Sequence, residues 1–161
     1  MDKKKPIPWK TIIVLALFAL AASYIPERLA INPSDSVRYT LFFINKVPAK
    51  VKTGDYVIFT PERPEYKDPY IIGKTIVKKI TCDSGHRLSE RGQDYYCDGK
   101  IWLGRAKEMS LHGHPLRNFV YNGVVPAGYC FVSGSNINSY DSRYWGFLRK
   151  SDIKARAYPV F

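Results

Sequence analysis

The chain has 161 residues, of which 45% are hydrophobic and 24% are charged, and this balance excludes a disordered or fibrous protein. The length fits one domain of ordinary size. The formal net charge of +11 requires a partner of opposite sign, which could be nucleic acid, an anionic membrane surface or an acidic protein.

The N-terminal segment combines a basic stretch with an apolar one. Residues 1–10 (MDKKKPIPWK) carry four lysines, and an apolar run follows directly at 11–25. A basic flank before a short apolar run is typical of a signal peptide or a single membrane anchor, and a buried helix of a soluble domain would not explain the lysines. We expect 1–10 to stay cytoplasmic, 11–25 to be an uncleaved anchor, and 26–161 to form one domain on the other side. Cleavage at Ala19-Leu20-Ala21 is the alternative.

Short apolar or alternating runs recur along the rest of the chain, and turn residues separate them. We expect only one helical turn, around residues 151–153. Six or seven short strands predict a mainly β fold, as a compact, bent antiparallel sheet or barrel. The runs lie at 36–45, 56–60, 70–81, 93–102, 118–122, 129–134 and 153–161.

The three cysteines suggest a disulfide rather than a metal site. Cys82 and Cys97 flank a turn-rich stretch, and a cross-strand disulfide between them is feasible if the neighbouring strands form a hairpin in an oxidising compartment. Cys130 lies in an apolar run and is expected to be a buried thiol. We expect no metal, because no two cysteines have the spacing of zinc ligands. The histidines considered with them are His86, His112 and His114.

Three segments contain polar residues that could take part in catalysis: the turn at 31–37, the strand at 73–82 and the loop at 134–146. Period-two alternation places Lys78 on an apolar face of the strand, with Ile76, Ile80 and Cys82. Burial lowers the pKa of an amine, so a neutral Lys78 could accept a proton. Taken singly, each segment has an ordinary explanation, as a polar turn, a lysine at a sheet edge and a solvated loop.

Taken together and in this order, the three segments resemble the type I signal peptidases, which are membrane serine peptidases with a Ser/Lys pair. Residues 33–37 (PSDSV) resemble their nucleophile segment, and Lys78-Lys79 resembles their base segment. Their last sequence box is similar to 125–128 (VPAG), 134–136 (GSN) and 139–146 (SYDSRYWG). The resemblance extends from about residue 31 to the C-terminus and implies a signal-peptidase-like catalytic domain behind one transmembrane helix.

Several positions depart from the pattern of that family. Residues 37–39 (VRY) replace Met-x-Pro, Ser135 replaces an aspartate and Lys79 replaces an arginine. These departures, the short chain and the stretch 113–116 (GHPL) resemble the TraF-type branch, whose members mature pilin precursors in conjugative transfer.

The resemblance implies acyl transfer through a covalent intermediate, without a cofactor. Ser36 would be the nucleophile and Lys78 the general base, which later activates water. Ser139 would orient the lysine. Ser34 Oγ and the Ser36 backbone N–H would form the oxyanion hole.

The remaining expectations concern the loop, the substrate and the surroundings. Asp141 and Arg143 are interpreted as a charge pair that holds the loop of Ser139. A pilin-like precursor would bind small residues in shallow apolar pockets and pair with a sheet edge at 37–44 or at 128–134. We expect the positive domain to lie against the anionic lipid of a bacterial inner membrane, on the periplasmic side, without binding nucleic acid. Components of a conjugative secretion complex are further expected partners.

Two other functions remain open at this point. The departures at 37–39 and at Ser135 would also suit a catalytically silent assembly component of a secretion complex. A general signal peptidase is the other alternative. The sequence does not separate a hydrolysed, linear product from a cyclic one.

Overall fold

The computed structural model describes residues 8–46, 50–62 and 71–161. Most of the basic segment predicted at 1–10 and the first residue of the strand predicted at 70–81 lie outside the described residues. The description begins with helix α1 (Trp9–Tyr24), which continues into a 3₁₀ turn (Pro26–Arg28).

Helix α1 packs against nothing in the described chain, although its residues are mostly apolar. No residue of α1 is buried. With the turn, it forms a stretch of 20 residues, Trp9–Arg28, which is long and apolar enough to cross a membrane by length and composition. At 1.5 Å per residue the stretch spans about 30 Å, close to the thickness of the hydrocarbon core of a bilayer.

The strands of the described chain form two antiparallel sheets. Their bounds are β1 (Leu29–Ile31), β2 (Leu41–Asn45), β3 (Tyr56–Phe59), β4 (Ile76–Asp83), β5 (Arg87–Arg91), β6 (Asp94–Cys97), β7 (Ile101–Arg105), β8 (Gly123–Val124), β9 (Tyr129–Ser133), β10 (Leu148–Arg149) and β11 (Ile153–Pro159). One sheet has the order β1-β2-β11-β3-β4-β9-β10 and the other β7-β6-β5-β8. The predicted mainly β, antiparallel fold is confirmed, and in the described residues both sheets are open rather than closed into a barrel.

The predicted runs do not include the short strands β1, β8 and β10, and the prediction differs from the structure in other places as well. Strand β5 lies in the stretch predicted to be turn-rich. It contains few apolar residues, and it forms a strand because it pairs with β6 and β8. The run predicted at 93–102 is divided into β6 and β7 by a turn. The run predicted at 118–122 forms no strand, because its aromatic residues pack on the core without a partner strand; the Phe119 and Tyr121 rings stack with centroids 5.8 Å apart.

A disulfide joins the two sheets through the core. Cys82 in β4 is bonded to Cys97 in β6, with their Cα atoms 5.6 Å apart. The predicted pair of cysteines is therefore confirmed, but the bridge connects the two sheets and does not cross a hairpin. The apolar cluster around it contains Leu88, Tyr95 and Phe131. Cys130 is buried and free, and burial raises its pKa to about 12, so its thiol is unreactive at neutral pH.

A 3₁₀ turn at Lys150–Asp152 agrees with the single helical turn expected near residue 151. One more helical turn, α2 (Ser142–Trp145), lies within the loop that follows β9. The Asp141 side chain caps α2 by accepting from the Arg143 N–H. This cap fixes the end of the loop that carries Ser139.

Candidate active site

Ser36 lies in the turn between β1 and β2, where polar contacts hold its neighbours. Its Oγ is 2.9 Å from Ser34 Oγ. Ser34 Oγ donates to Asn32 Oδ1 over 2.8 Å, and Asn32 Nδ2 donates back to the Ser34 carbonyl over 2.7 Å. Because the single Ser34 proton points at Asn32, the Ser36 hydroxyl donates to Ser34 in this arrangement. Asn32 is buried and Val37 anchors the other end of the turn in the core.

Lys78 is buried in β4, a central strand between β3 and β9. Its side chain is 3% exposed, and its Nζ donates to Ser139 Oγ over 2.7 Å. Burial lowers the pKa of Lys78 to about 8; nearby Asp141 opposes this shift and Arg143 adds to it. A large fraction of the amine is therefore neutral in mildly alkaline solution.

The strand around Lys78 is covered on both faces. Ile80 and Cys82 are fully buried on the face predicted to be apolar, and Val77 is buried on the opposite face. Lys79 is exposed, and its Nζ lies 5.8 Å from the centre of the Tyr56 ring. The period-two alternation therefore assigned the two lysines to the correct faces of the strand, but it did not predict that Val77 is buried.

Gly134 lies where Ser36 and Ser139 approach each other. A Cβ atom at Gly134 would lie 2.2 Å from Ser139 Oγ and 2.2 Å from the Ser36 carbonyl oxygen, so only glycine fits. The Ser135 N–H donates to the same Ser36 carbonyl over 2.9 Å. The structure thus brings Ser36, Ser139 and Lys78 together around Gly134, with the hydrogen bond of Lys78 Nζ ending on Ser139 rather than on Ser36.

Asp141 and Arg143 form a buried, two-pronged ion pair. Arg143 Nε and Nη2 each lie 2.8 Å from one Asp141 oxygen, and both residues are at most 2% exposed. Arg143 also donates to the carbonyls of Ser139 (2.9 Å) and Arg105 (2.7 Å), and Asp141 accepts from the Gly134 N–H over 2.8 Å. The pair therefore ties both ends of the Ser139 loop to β7.

Neither of the two candidate segments for substrate docking belongs to an end strand of its sheet, although β10 pairs with β9 only at Tyr129 and Cys130. The segment at 37–44 leads into β2, which lies between β1 and β11. The segment at 128–134 contains β9, which pairs with β4 and β10. In the described residues the edge next to Ser36 is β1, which ends at Ile31.

Two residues of this site had no predicted role. Asn32 orients the Ser34 hydroxyl, and Gly134 leaves the space in which Ser36 and Ser139 meet. Asn32 lies in the turn segment 31–37 and Gly134 in the motif 134–136, so the sequence marked their location but not their contacts.

Among residues 8–46, 50–62 and 71–161, one group of possible metal ligands occurs, away from the site. His86, Cys97 and Asp98 have potential ligand atoms within 4.8 Å of one another. Cys97 is oxidised in the disulfide, and His86 Nδ1 is paired with Asp98 Oδ2 at 2.7 Å. Only His86 and Asp98 of this cluster therefore remain as possible metal ligands, and they are paired with each other. The other two histidines, His112 and His114, belong to an exposed turn.

Comparison with known proteins assigns the chain to a family. The family model "Signal peptidase, peptidase S26" matches residues 7–161. The chain is 26% identical to the Conjugal transfer protein TraF of Agrobacterium fabrum over 174 residues, which cover 100% of this chain and 98% of that protein. It is 29% identical to the Probable signal peptidase I-1 of Synechocystis sp., over 94% of this chain and 83% of the relative.

Among solved structures, a signal peptidase I from Enterococcus faecalis matches with a TM-score of 0.44 and 21% identity. The match covers 67% of this chain and 97% of that one.

Proposed function

The chain belongs to the signal peptidase family, peptidase S26, and on this basis we propose that it is a membrane-anchored serine endopeptidase with a Ser36/Lys78 dyad. The single observation that carries the proposal is a buried lysine, with a pKa lowered to about 8, beside the turn of an accessible serine. A buried lysine without an acid partner is costly unless its amine is neutral, and a neutral amine is a general base.

In the proposed first step, Ser36 Oγ attacks the carbonyl carbon of the scissile bond. The Ser36 proton passes to the neutral Lys78 amine, and the resulting ammonium then protonates the departing amine of the substrate. The product of this step is an acyl ester on Ser36. In the second step Lys78 takes a proton from water, the hydroxide attacks the ester, and Ser36 is released with its proton restored.

The role proposed for Ser139 follows from the number of protons on a neutral amine. A neutral Lys78 has two N–H bonds and one lone pair. One N–H is donated to Ser139 Oγ at 2.7 Å, and this bond leaves the lone pair free to accept from Ser36. Ser139 is thus a positioning residue that limits the rotation of the amine.

The Ser34 hydroxyl and the Ser36 backbone N–H are the proposed oxyanion donors. In the free protein the Ser34 proton is held by Asn32 over 2.8 Å. When a substrate oxyanion is present, the hydroxyl can rotate toward it while Asn32 keeps its bond to the Ser34 carbonyl. Removal of one such donor typically lowers the rate by about 10²–10³.

The proposed substrate is an exported precursor, bound as an extended strand along the free edge of β1. This strand directly precedes the Ser34–Ser36 turn, so a peptide paired with it would reach the nucleophile. Shallow apolar pockets for small side chains would set the cleavage position. No cofactor takes part in the proposed chemistry.

A pilin-like precursor of conjugative transfer is the proposed biological substrate, and components of the transfer complex are the proposed partners. The support is the TraF relative, which matches 100% of this chain over 98% of its own length. Residues 11–25 would anchor the protein in the inner membrane, with the domain 26–161 on the periplasmic side. Residues 1–10 carry +3 of the net charge of +11, so the domain 26–161 carries +8, and this charge would hold it against anionic lipid.

Cleavage assays with the full chain in detergent micelles test the dyad. Ser36→Ala and Lys78→Met should each lower kcat/KM for a pilin-like precursor by at least about 10³-fold. Matched controls are Ser151→Ala and Lys154→Met, which alter exposed residues and should retain cleavage. Full activity of either dyad variant would remove the mechanism, and a wild-type protein without cleavage would favour the assembly component.

A further inference from the structure

A groove of about 580 Å³ begins beside Ser36 and has no part in the chemistry proposed above. Its near end is formed by Ser135 and Asn136, whose N–H groups donate to the Ser36 carbonyl over 2.9 and 3.4 Å. Strand β7 also lines it. We call it the cationic groove and define it by six of its lining side chains: Arg38, Tyr39, Tyr56, Lys79, Trp102 and Arg105.

The charged side chains that line the groove all have the same sign. Within the described residues that line it, four side chains are cationic and none is acidic. Arg143 is neutralised by its buried bond to Asp141. Arg105 is 3.8 Å from Asp94, which lies outside the lining, and its side chain remains 57% exposed. Together with the exposed Arg38 and Lys79, the groove offers three cationic groups to a ligand.

The shape of the groove suits an extended polypeptide. Strand β7 is the end strand of the described four-stranded sheet, so one of its edges faces away from β6. The Tyr39 and Tyr56 rings pack perpendicular to each other at 5.8 Å, and Trp102 is 57% exposed on the opposite wall. Aromatic walls and a free strand edge are features of peptide-binding grooves.

Three side chains of the groove lie next to, or within, the segments that resemble the signal peptidases. Tyr39 stands where that pattern has proline, Arg38 stands at its unspecified position x, and Lys79 keeps the positive charge of its arginine. The proposed mechanism uses none of the three, although Arg38 and Lys79 are neighbours of positions that it does use. Substrate selection by charge gives them a role.

We propose that the cationic groove binds an acidic segment of the precursor on the carboxyl side of the cleavage point. This inference rests on the proposed function. The amino side of a signal-type cleavage point consists of a basic, an apolar and a small-residue region, and it offers no acidic group to the groove. Its apolar part would approach from α1 and lie along β1, which follows α1 directly. The chain beyond Ser36 then enters the groove, where aspartate and glutamate side chains meet Arg38, Lys79 and Arg105.

Peptide binding to the full-length Ser36→Ala protein in nonionic micelles tests the groove without cleavage. The probes are two rhodamine-labelled peptides, with Ala-Leu-Ala followed either by Asp-Glu-Asp-Glu or by Asn-Gln-Asn-Gln. Fluorescence anisotropy at low salt should show about tenfold tighter binding of the acidic peptide. Added Lys79→Gln and Arg105→Gln substitutions should reduce the ratio to about one. The control Lys154→Gln, which removes an exposed charge outside the groove, should leave the ratio unchanged.

A charge reversal provides a second readout. Arg105→Glu should weaken binding of the acidic peptide and strengthen binding of a peptide ending in Lys-Arg-Lys-Arg. Equal binding of the acidic and the amide peptide by the parent would overturn the proposal. The groove would also be reassigned to lipid if Lys79→Gln and Arg105→Gln weakened binding to phosphatidylglycerol vesicles and left the peptide ratio intact. Because no arm requires cleavage, a failure of the Ser36/Lys78 mechanism is seen separately in the cleavage assay.

Discussion

At the scale of single residues, the site depends on the burial of one amine. Lys78 is 3% exposed, and two charged residues of the described chain, Asp141 and Arg143, shift its pKa in opposite directions. Burial is therefore the largest cause, and the pKa falls to about 8 from an ordinary value of 10.5. The fold thereby supplies a neutral amine at a pH where an exposed lysine is almost wholly charged.

The pH dependence of cleavage follows from this pKa. The proposed base must be neutral, so kcat/KM should rise about tenfold per pH unit below 8 and become level above it. About a tenth of Lys78 would be neutral at pH 7 and about nine tenths at pH 9. The measurement is kcat/KM of the full chain from pH 6 to 10, with circular dichroism at each pH as the control for folding. A profile that is flat from pH 6 to 10, or that is still rising about tenfold per pH unit at pH 10, would contradict the role of Lys78.

At the scale of elements, the loop between β9 and α2 brings Ser139 next to the turn that contains Ser36. Gly134 leaves room for the Ser36 carbonyl on one side and for Ser139 Oγ on the other. The Asp141/Arg143 pair fixes the loop at both ends and attaches it to β7. The distance between the proposed catalytic groups therefore depends on backbone packing more than on any one side chain.

Gly134→Ala tests this dependence. Its Cβ would lie 2.2 Å from a backbone oxygen and from Ser139 Oγ, so the loop must move away from Ser36. We expect a fall in kcat of about 10²-fold or more and a loss of about 1–3 kcal/mol of unfolding free energy from overpacking. The matched control is Asn138→Ala in the exposed part of the same loop, which should stay within about 0.5 kcal/mol of the parent. Retained kcat in Gly134→Ala would show that the contact with Ser36 has no catalytic effect.

At the scale of the whole molecule, the disulfide and the cluster around it hold the two sheets together. Cys82 follows Lys78 by four residues on β4, and Cys97 belongs to the sheet whose end strand β7 lines the groove. The bridge thus connects the strand of the proposed base to the sheet that is proposed to hold the substrate. Its Cα atoms are separated by 15 positions in sequence.

Loss of the bridge should lower the free energy of unfolding by an amount that increases with the logarithm of the length of the closed loop. For a loop of this size the chain-entropy model gives about 3 kcal/mol. We expect the double variant Cys82→Ala/Cys97→Ala to lose about this much unfolding free energy in denaturant titrations of the full chain in micelles. Dithiothreitol should destabilise the parent to the same level and leave the variant unchanged. A parent that is insensitive to the reductant would show that the bridge does not stabilise the fold.

The sequence predicted local features well and long-range ones poorly. Period-two alternation placed Lys78 inside and Lys79 outside, because a side chain's face is set by its own strand. The contact from Lys78 to Ser139 spans 61 residues, and only the resemblance to a family indicated it. The interior positions of β2 and β9 were missed, because strand order depends on pairing between distant segments and leaves no mark on either strand alone. The weakly apolar β5 was missed for the same reason.

The central claim is that Ser36 carries the acyl group during cleavage, and capture of that intermediate tests it most directly. The full chain in micelles would be mixed with a precursor peptide, quenched in acid within the first turnover and digested for mass spectrometry. We predict that the mass of the amino-side fragment, less one water, is added to the peptide containing Ser36 and is missing in Ser36→Ala. An acyl group on another residue, or continued cleavage by Ser36→Ala with no adduct at all, would contradict the claim.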